Sequence, residues 1–155
     1  MGVRGTGSTA LTAAATSIAL TVPAATTTGD LLVATITVGG GSGTSISAPA
    51  GWRRISDLSS GTTQRQSVYV RTALATDPGT SQSFTFSSSQ KGSATIAAVA
   101  GALTSADPLV ASALDAVSDT TLVTPALALG TTRGGLTLLA GSTYGNTTIS
   151  GAGSG

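Results

Sequence analysis

Carboxylates are the main side chains of this chain that are able to do acid–base chemistry, because its 155 residues include no Glu, His or Cys. The lack of His excludes Ser-His-Asp catalysis and His-ligated zinc, and the lack of Cys excludes disulfides and thiolate metal sites. A glycosidase needs two facing carboxylates, and nothing in the sequence points to such a pair. The six scattered aspartates are Asp30, Asp57, Asp77, Asp107, Asp115 and Asp119.

These aspartates have two interpretations. None lies in a D-x-D-x-D-G loop, so a calcium site would have to combine loop Asp side chains with backbone carbonyls. Asp115 and Asp119 would share one face if their segment were helical. The alternative, which we favour, is that the carboxylates are solvated turn residues and caps. We therefore predict no metal, no cofactor and no catalytic residue.

A second chemical candidate is the lone lysine, Lys91, in the stretch SSSQKGS. With Ser89 it would form a Ser-Lys dyad, the arrangement that activates a serine nucleophile. A lysine in a turn is the simpler interpretation. We therefore do not assign an enzymatic activity to this pair.

Two glycine-rich stretches resemble nucleotide-binding motifs. GTGSTA (5–10) matches G-x-G-x-x-A, but the dinucleotide fingerprint requires a preceding strand, and residue 5 leaves no room for one. VGGGSGTS (38–45) lacks the lysine of a P-loop and is predicted to be a flexible loop between strands. Neither stretch therefore predicts a bound nucleotide.

Trp52 is the single tryptophan and follows Ala-Pro-Ala-Gly in SAPAGWRRISD (47–57). An exposed Trp can stack on sugar rings or bases, whereas a buried one anchors a core or its rim. Carbohydrate modules usually offer several aromatic residues, and this chain has five in all. Because the following residues alternate along a strand, Arg53 and Arg54 are expected on opposite sides and not in one patch.

Composition excludes several classes of function. Charged residues make up 8% of the chain and its formal net charge is +1, which argues against binding to nucleic acid. No stretch reaches the roughly 18 apolar residues of a membrane span. The N-terminal apolar run is interrupted by Thr and Ser and is a poor signal-peptide core. The chain is 40% hydrophobic and rich in Thr, which favours strands over disorder.

Alternation of apolar and polar residues with period two recurs between turn residues. It predicts an all-β fold, a single β-sandwich of jelly-roll or Ig-like type with seven to nine short antiparallel strands. In one strand Val68, Val70 and Thr72 alternate with Tyr69 and Arg71. TDPGT (76–80) is predicted to be a turn. The predicted strands are 17–22, 30–38, 52–56, 66–74, 83–87, 93–102, 127–130 and 135–142.

The same patterns suggest how the chain is organised. Residues 1–16 are predicted to be an N-terminal arm or first strand, residues 17–145 the sandwich, and residues 146–155 a Gly- and Ser-rich tail. Residues 108–117 are compatible with a short helix capped by Asp107, or with an extended segment.

The order of several structural motifs resembles a β-sandwich domain family of bacteriophage virion proteins and related prophage surface proteins. The matching segments span roughly residues 17 to 145. They are Pro23, Gly29-Asp30, the Pro49-Ala50-Gly51-Trp52 turn, Val68-Tyr69-Val70, Asp77-Pro78, Phe84-Thr85-Phe86 and Gly101 to Pro108. Family members tend to continue with further strands, so this chain has either a small sandwich or an edge completed by another copy.

The resemblance implies a function without chemistry. It implies a structural protein of a phage particle in the virion, either a capsid decoration (cementing) protein or a minor capsid protein. The expected partners are the major capsid protein or other virion proteins and further copies of this chain, with a trimer favoured. The alternative is a phage tail or cell-surface module that recognises glycan. The residues singled out as structural anchors or contacts are Trp52, Gly51, Pro49, Tyr69, Phe84 and Phe86.

Overall fold

A computed structural model describes residues 2–101, which form two antiparallel sheets packed face to face. The five-stranded sheet has the order β1-β8-β3-β6-β5, and the three-stranded sheet has the order β2-β7-β4. The all-β sandwich expected from the sequence is therefore confirmed. The strands are β1 (Gly2–Ala10), β2 (Ala15–Thr21), β3 (Leu31–Gly39), β4 (Ile46–Ser47), β5 (Arg53–Ser60), β6 (Gln64–Thr72), β7 (Ser81–Gln90) and β8 (Gly92–Ala100).

Strand pairing among the described residues is nested. β1 pairs with β8, β2 with β7 and β3 with β6, always antiparallel. Wrapping one long antiparallel hairpin into two sheets produces this order, which is that of a jelly roll. In an Ig sandwich the first strand pairs with the second instead. Continuing the nested order would pair β4 with β5. Instead β5 pairs with β6 and extends the five-stranded sheet.

The core lies between the sheets and is built from alternate residues of each strand. Leu32, Ala34 and Ile36 face it from β3, and Ile18 and Leu20 face it from β2. Because side chains alternate across a strand, one apolar set is removed from water while its neighbours face outward. Each fully buried Leu or Ile contributes roughly 1.5–3 kcal/mol from burial of apolar area.

Glycines in β1 explain the stretch GTGSTA. It lies within the strand, so the N-terminal residues are a first strand and not an arm. A Cβ on Gly7 would lie 2.9 Å from the backbone oxygen of Thr21, and one on Gly5 would lie 2.9 Å from the Cβ of Pro23. The glycines therefore let β1 approach β2 and the segment after it at one side of the sandwich.

The loop predicted at 38–45 differs from its prediction, and the turn predicted at Lys91 is very short. GGGSGTS (39–45) is not free: Gly41–Gly43 form a single 3₁₀ turn, and Ser42 N donates to Gly61 O at 2.8 Å. SSSQKGS (87–93) is mostly strand, because β7 continues to Gln90 and β8 begins at Gly92. Only Lys91 lies between them, where the chain passes from one sheet to the other.

Other strand boundaries moved by a few residues in either direction. β7 continues past its apolar run to Gln90, whereas β6 ends at Thr72, before its predicted end at residue 74. The strand predicted at 52–56 begins at Arg53 and continues to Ser60, and the two-residue β4 was not predicted. Within residues 2–101 no helix is long and apolar enough to cross a membrane. The predicted strands 127–130 and 135–142, the segment 108–117, the tail 146–155 and the domain limit at residue 145 lie outside the described residues.

Candidate functional site around Trp52

Trp52 is positioned by a tight turn. Trp52 N lies 3.4 Å from Pro49 O, and Gly51 has a φ of 85°. A positive φ at the third residue is required by a type II turn and is strained for residues with a side chain. The sequence Pro-Ala-Gly-Trp thus reverses the chain between β4 and β5 and directs the indole back toward the sandwich.

The half-buried indole packs against the core. Its ring meets Phe84 in an edge-to-face arrangement with centroids 5.4 Å apart. Its Nε1 donates to Gln82 Oε1 at 3.1 Å. Both partners lie on β7 of the three-stranded sheet, so Trp52 ties the start of β5 across the sandwich.

Arg71 covers one face of the same indole. Its guanidinium carbon lies 5.3 Å from the ring centroid, which is the geometry of a cation–π contact. Arg71 Nη2 also lies 2.5 Å from Asp77 Oδ1. This contact is an ion pair without a well-aligned hydrogen bond, because Nη2 and Nε both lack hydrogen-bond partners among the described residues.

Asp77 connects this arrangement to the turn after β6. Leu74 N donates to Asp77 Oδ2 at 2.6 Å, and Thr80 N donates to Asp77 O at 2.9 Å. Gln82 Nε2 donates to Thr80 Oγ1 at 3.2 Å. The contacts therefore close a ring that runs through Trp52, Arg71, Asp77, Thr80 and Gln82. The predicted TDPGT turn is present, with φ of 75° at Gly79.

The remaining sequence-predicted anchors are brought together beneath Trp52. Phe84 also contacts Tyr69, with ring centroids 5.4 Å apart, and Phe86 is buried in the same core. Tyr69 Oη donates to Ile46 O at 2.7 Å, which links the two sheets, and burial raises the pKa of this phenol. Pro49 and Gly51 belong to the turn and lie outside this cluster.

Asp57 is held by a second polar cluster, between β5 and β6. Arg65 Nε and Nη2 donate to its two oxygens at 2.8 and 2.5 Å, and Ser67 Oγ donates to Oδ1 at 2.8 Å. Arg54 Nη1 lies 3.0 Å from Oδ2. The hydrogen bonds from Arg65 hold the pKa of Asp57 below its ordinary value, against the opposing effect of burial.

Asp30 fastens β1 to the loop before β3. Arg4 Nε lies 2.8 Å from Asp30 Oδ2, and Thr27 N donates to the same oxygen at 2.8 Å. Burial alone would raise the pKa of Asp30, but the hydrogen bonds from Thr27 and Arg4 outweigh it and lower the pKa. Contrary to the solvated role expected from sequence, Asp30 and Asp77 are buried.

The described aspartates are all paired with arginines. The three described aspartates each accept contacts from an arginine, so none is placed as a free base. Within residues 2–101 no group of three or more acidic, His or Cys side chains is placed to hold a metal ion. Ser89 and Lys91 are both exposed near the end of β7.

The stretches GGGSGTS (39–45) and SSSQKGS (87–93) meet at the opposite end of the sandwich. Thr44 Oγ1 lies 2.9 Å from Ser88 Oγ, and Gln90 Nε2 donates to Thr44 Oγ1 at 3.3 Å. Arg65 Nη1 donates to Thr44 O at 2.9 Å. The two stretches thus form one surface, in which Ser42, Gly43 and Lys91 are exposed.

Sequence reasoning missed Arg71 and Gln82 as partners of Trp52. The alternation of β6 did place Arg71 on the same face as Tyr69, which was the available signal. Arg53 and Arg54 lie opposite Val70 and Tyr69 respectively, and thus on different faces of the sheet as expected. No local pattern indicated that Gln82, 30 residues from Trp52, would accept its N–H.

Comparison with protein-family models, with curated proteins and with solved structures finds no match to this chain.

Proposed function

We propose that this chain is a non-enzymatic structural protein of a bacteriophage particle, a capsid decoration (cementing) or minor capsid protein. The observation that carries the proposal is the nested strand pairing, because double-sheet jelly rolls are an architecture of viral capsid proteins. The order of motifs from Pro23 to Pro108 adds the resemblance to phage virion domains.

The mechanism would be cementing across joints between capsid subunits. The edge of the five-stranded sheet at β1 suits this role, since within residues 2–101 the strand pairs on one side alone, with β8. The one charged side chain of β1, Arg4, is bound to Asp30, so it does not hinder another strand from pairing with this edge. The other edge, β5, carries two arginines, Arg53 and Arg54, while both edge strands contain a shift in register. Strand addition at β1 would join copies of this chain or attach it to a capsid subunit.

Cementing also needs contact surfaces whose side chains lose little conformational entropy when a partner binds. Outward residues of β7 (Ser81, Ser83, Thr85, Ser87 and Ser89) are all exposed and carry short, uncharged side chains. Short side chains lose little rotamer entropy when a partner covers them. This surface therefore suits a close contact with a neighbouring subunit.

Glycan recognition is the rival function, because lectin domains also use the jelly roll and Trp52 is partly exposed. The surroundings of Trp52 speak against a sugar platform. Arg71 occupies one face of the indole and Gln82 takes its N–H. A sugar would have to stack on the remaining surface or displace these contacts.

The decisive experiment is mass spectrometry of particles purified from a culture that produces this chain, followed by co-sedimentation of the purified chain with empty capsids. We expect the chain in the particles at a fixed ratio to the major capsid protein, and saturable binding to capsids. Its absence from particles, together with quenching of Trp52 fluorescence by sugars, would favour the glycan-binding module instead.

A further inference from the structure

The five-stranded sheet has an outer face that points away from the three-stranded sheet. Leu32, Ala34 and Ile36 face the core, so the alternate residues of β3 point outward. The register extends this face across β6 and β8, because Val33 lies opposite both Val70 and Ala97. The outer face at its centre is formed by Leu31, Val33, Thr35, Thr37, Gln66, Val68, Val70, Thr72, Ser93, Thr95, Ala97 and Val99.

Several of these outward side chains are removed from solvent. Val99 is 3% exposed and Val70 is 4% exposed, yet neither belongs to the cluster that forms the core. Thr35 and Thr37, on the central strand, are buried too. By contrast Thr85, at the corresponding outward position on the central strand of the other sheet, is exposed. The outer face of the five-stranded sheet is thus shielded from solvent at its buried central residues, while Thr72 at its rim is exposed. The outer face of the three-stranded sheet is exposed along β7.

None of the strands described within residues 2–101 lies over this face, since every described strand belongs to one of the two sheets. The central residues of the face carry no charge, and six of the twelve are aliphatic. A contiguous apolar surface of this kind is rarely left exposed in a folded protein. Something must therefore cover it.

We propose that the chain's own residues 102–155 dock on this outer face. The chain leaves β8 at Ala100, one residue after the buried Val99, so the following segment starts at the face without needing a linker. The part of this segment that matches the surface in composition is 120–155, which contains Arg133 as its sole charged residue, whereas 102–119 carries Asp107, Asp115 and Asp119. The stretch 120–155 includes the apolar runs LALG (127–130) and GLTLLAGS (135–142). The inference concerns the chain itself and does not depend on the proposed virion function.

The absence of Cys from the chain allows a direct test on the full-length protein. Single-cysteine variants V70C and T35C probe the outer face, and T85C is the matched exposed control. We expect an aromatic disulfide reagent to modify V70C and T35C at least roughly tenfold more slowly than T85C, since reaction requires local opening. Unchanged Trp52 fluorescence shows that each variant is folded, and two outer-face variants guard against a local disturbance at one site.

The identity of the cover is tested at the exposed rim with T72C carrying a photoreactive maleimide. We expect cross-links that map to residues 102–155 within species of single-chain mass, and protection of V70C that does not change on dilution. Rapid modification of V70C and T35C would overturn the proposal. Cross-links between chains, with protection lost on dilution, would also overturn it and would assign the face to a second copy.

Discussion

The guanidinium carbon of Arg71 lies 5.3 Å from the centroid of the Trp52 ring, while Arg71 Nη2 lies 2.5 Å from Asp77 Oδ1. A single side chain therefore joins the tryptophan after the Pro49 turn to the turn after β6. Its ion pair and its ring contact are both largely shielded from water, which strengthens each. Trp52 therefore connects the Pro49 turn and the turn after β6 to the core at one end of the sandwich.

Replacing Trp52 should lower stability according to how much of its contact set remains. W52A is expected to lower the free energy of unfolding by about 2–4 kcal/mol, because it removes ring packing on Phe84 and the contact of Arg71. W52F keeps an aromatic ring and should cost about 1 kcal/mol through loss of the hydrogen bond to Gln82. Urea unfolding followed by circular dichroism measures both. Equal losses in the two variants would contradict the role of ring packing, and no loss in W52F would contradict the hydrogen-bond role.

The Pro49 turn depends on the backbone conformation of Gly51. G51A should destabilise the fold by roughly 1–2 kcal/mol, because alanine is strained at a φ of 85°. Gly43 is the control, since its φ is negative and a Cβ added there would meet no atom within 4 Å. Thermal unfolding should place G51A clearly below G43A, and similar midpoints would exclude strain at Gly51.

Gly7 tests whether the glycines of GTGSTA serve packing. A methyl group on Gly7 would lie 2.9 Å from Thr21 O, so G7A must push β1 away from β2. We expect a loss of roughly 1–3 kcal/mol from this overpacking. G2A in the same strand meets no atom within 4 Å and should be nearly neutral. Equal stability of the two variants in urea would rule out the close approach.

Acid should weaken the fold through Asp57. The pKa of its carboxyl is lowered in the folded chain, so the folded state binds the proton less tightly than the unfolded state does. The resulting stabilisation is present above the unfolded pKa of about 4 and is lost as the pH falls through the lowered folded pKa. D57N should cost about 2 kcal/mol at pH 7 and show a weaker loss of stability toward pH 3 than the wild type.

The control for this prediction is K91Q, which removes an exposed charge at a turn. Urea unfolding of wild type, D57N and K91Q at pH 7 and pH 3 gives the comparison. K91Q should follow the wild type at both values. If D57N kept the full pH dependence of the wild type, the acid sensitivity would have to come from other carboxylates.

Local patterns were sufficient to predict the class of fold. The period-two alternation around Leu32 and Ile36, and the Phe84-Thr85-Phe86 run, determine which side chains enter a core, since a strand exposes alternate residues to opposite faces. The turn at Asp77 followed from Pro and Gly at their preferred positions. These features depend on neighbours in the chain and can be read without knowledge of its fold.

Only the tertiary structure decided which strands are neighbours and which polar groups meet. The pairing of β1 with β8 joins residues about 90 positions apart, and the contacts of Trp52 with Arg71 and Gln82 follow from that arrangement. Asp30 was expected in solvent but is buried against Arg4, because β1 passes beside the loop that carries it. Such contacts arise from the energy of the whole packed sandwich, so no short stretch of sequence encodes them.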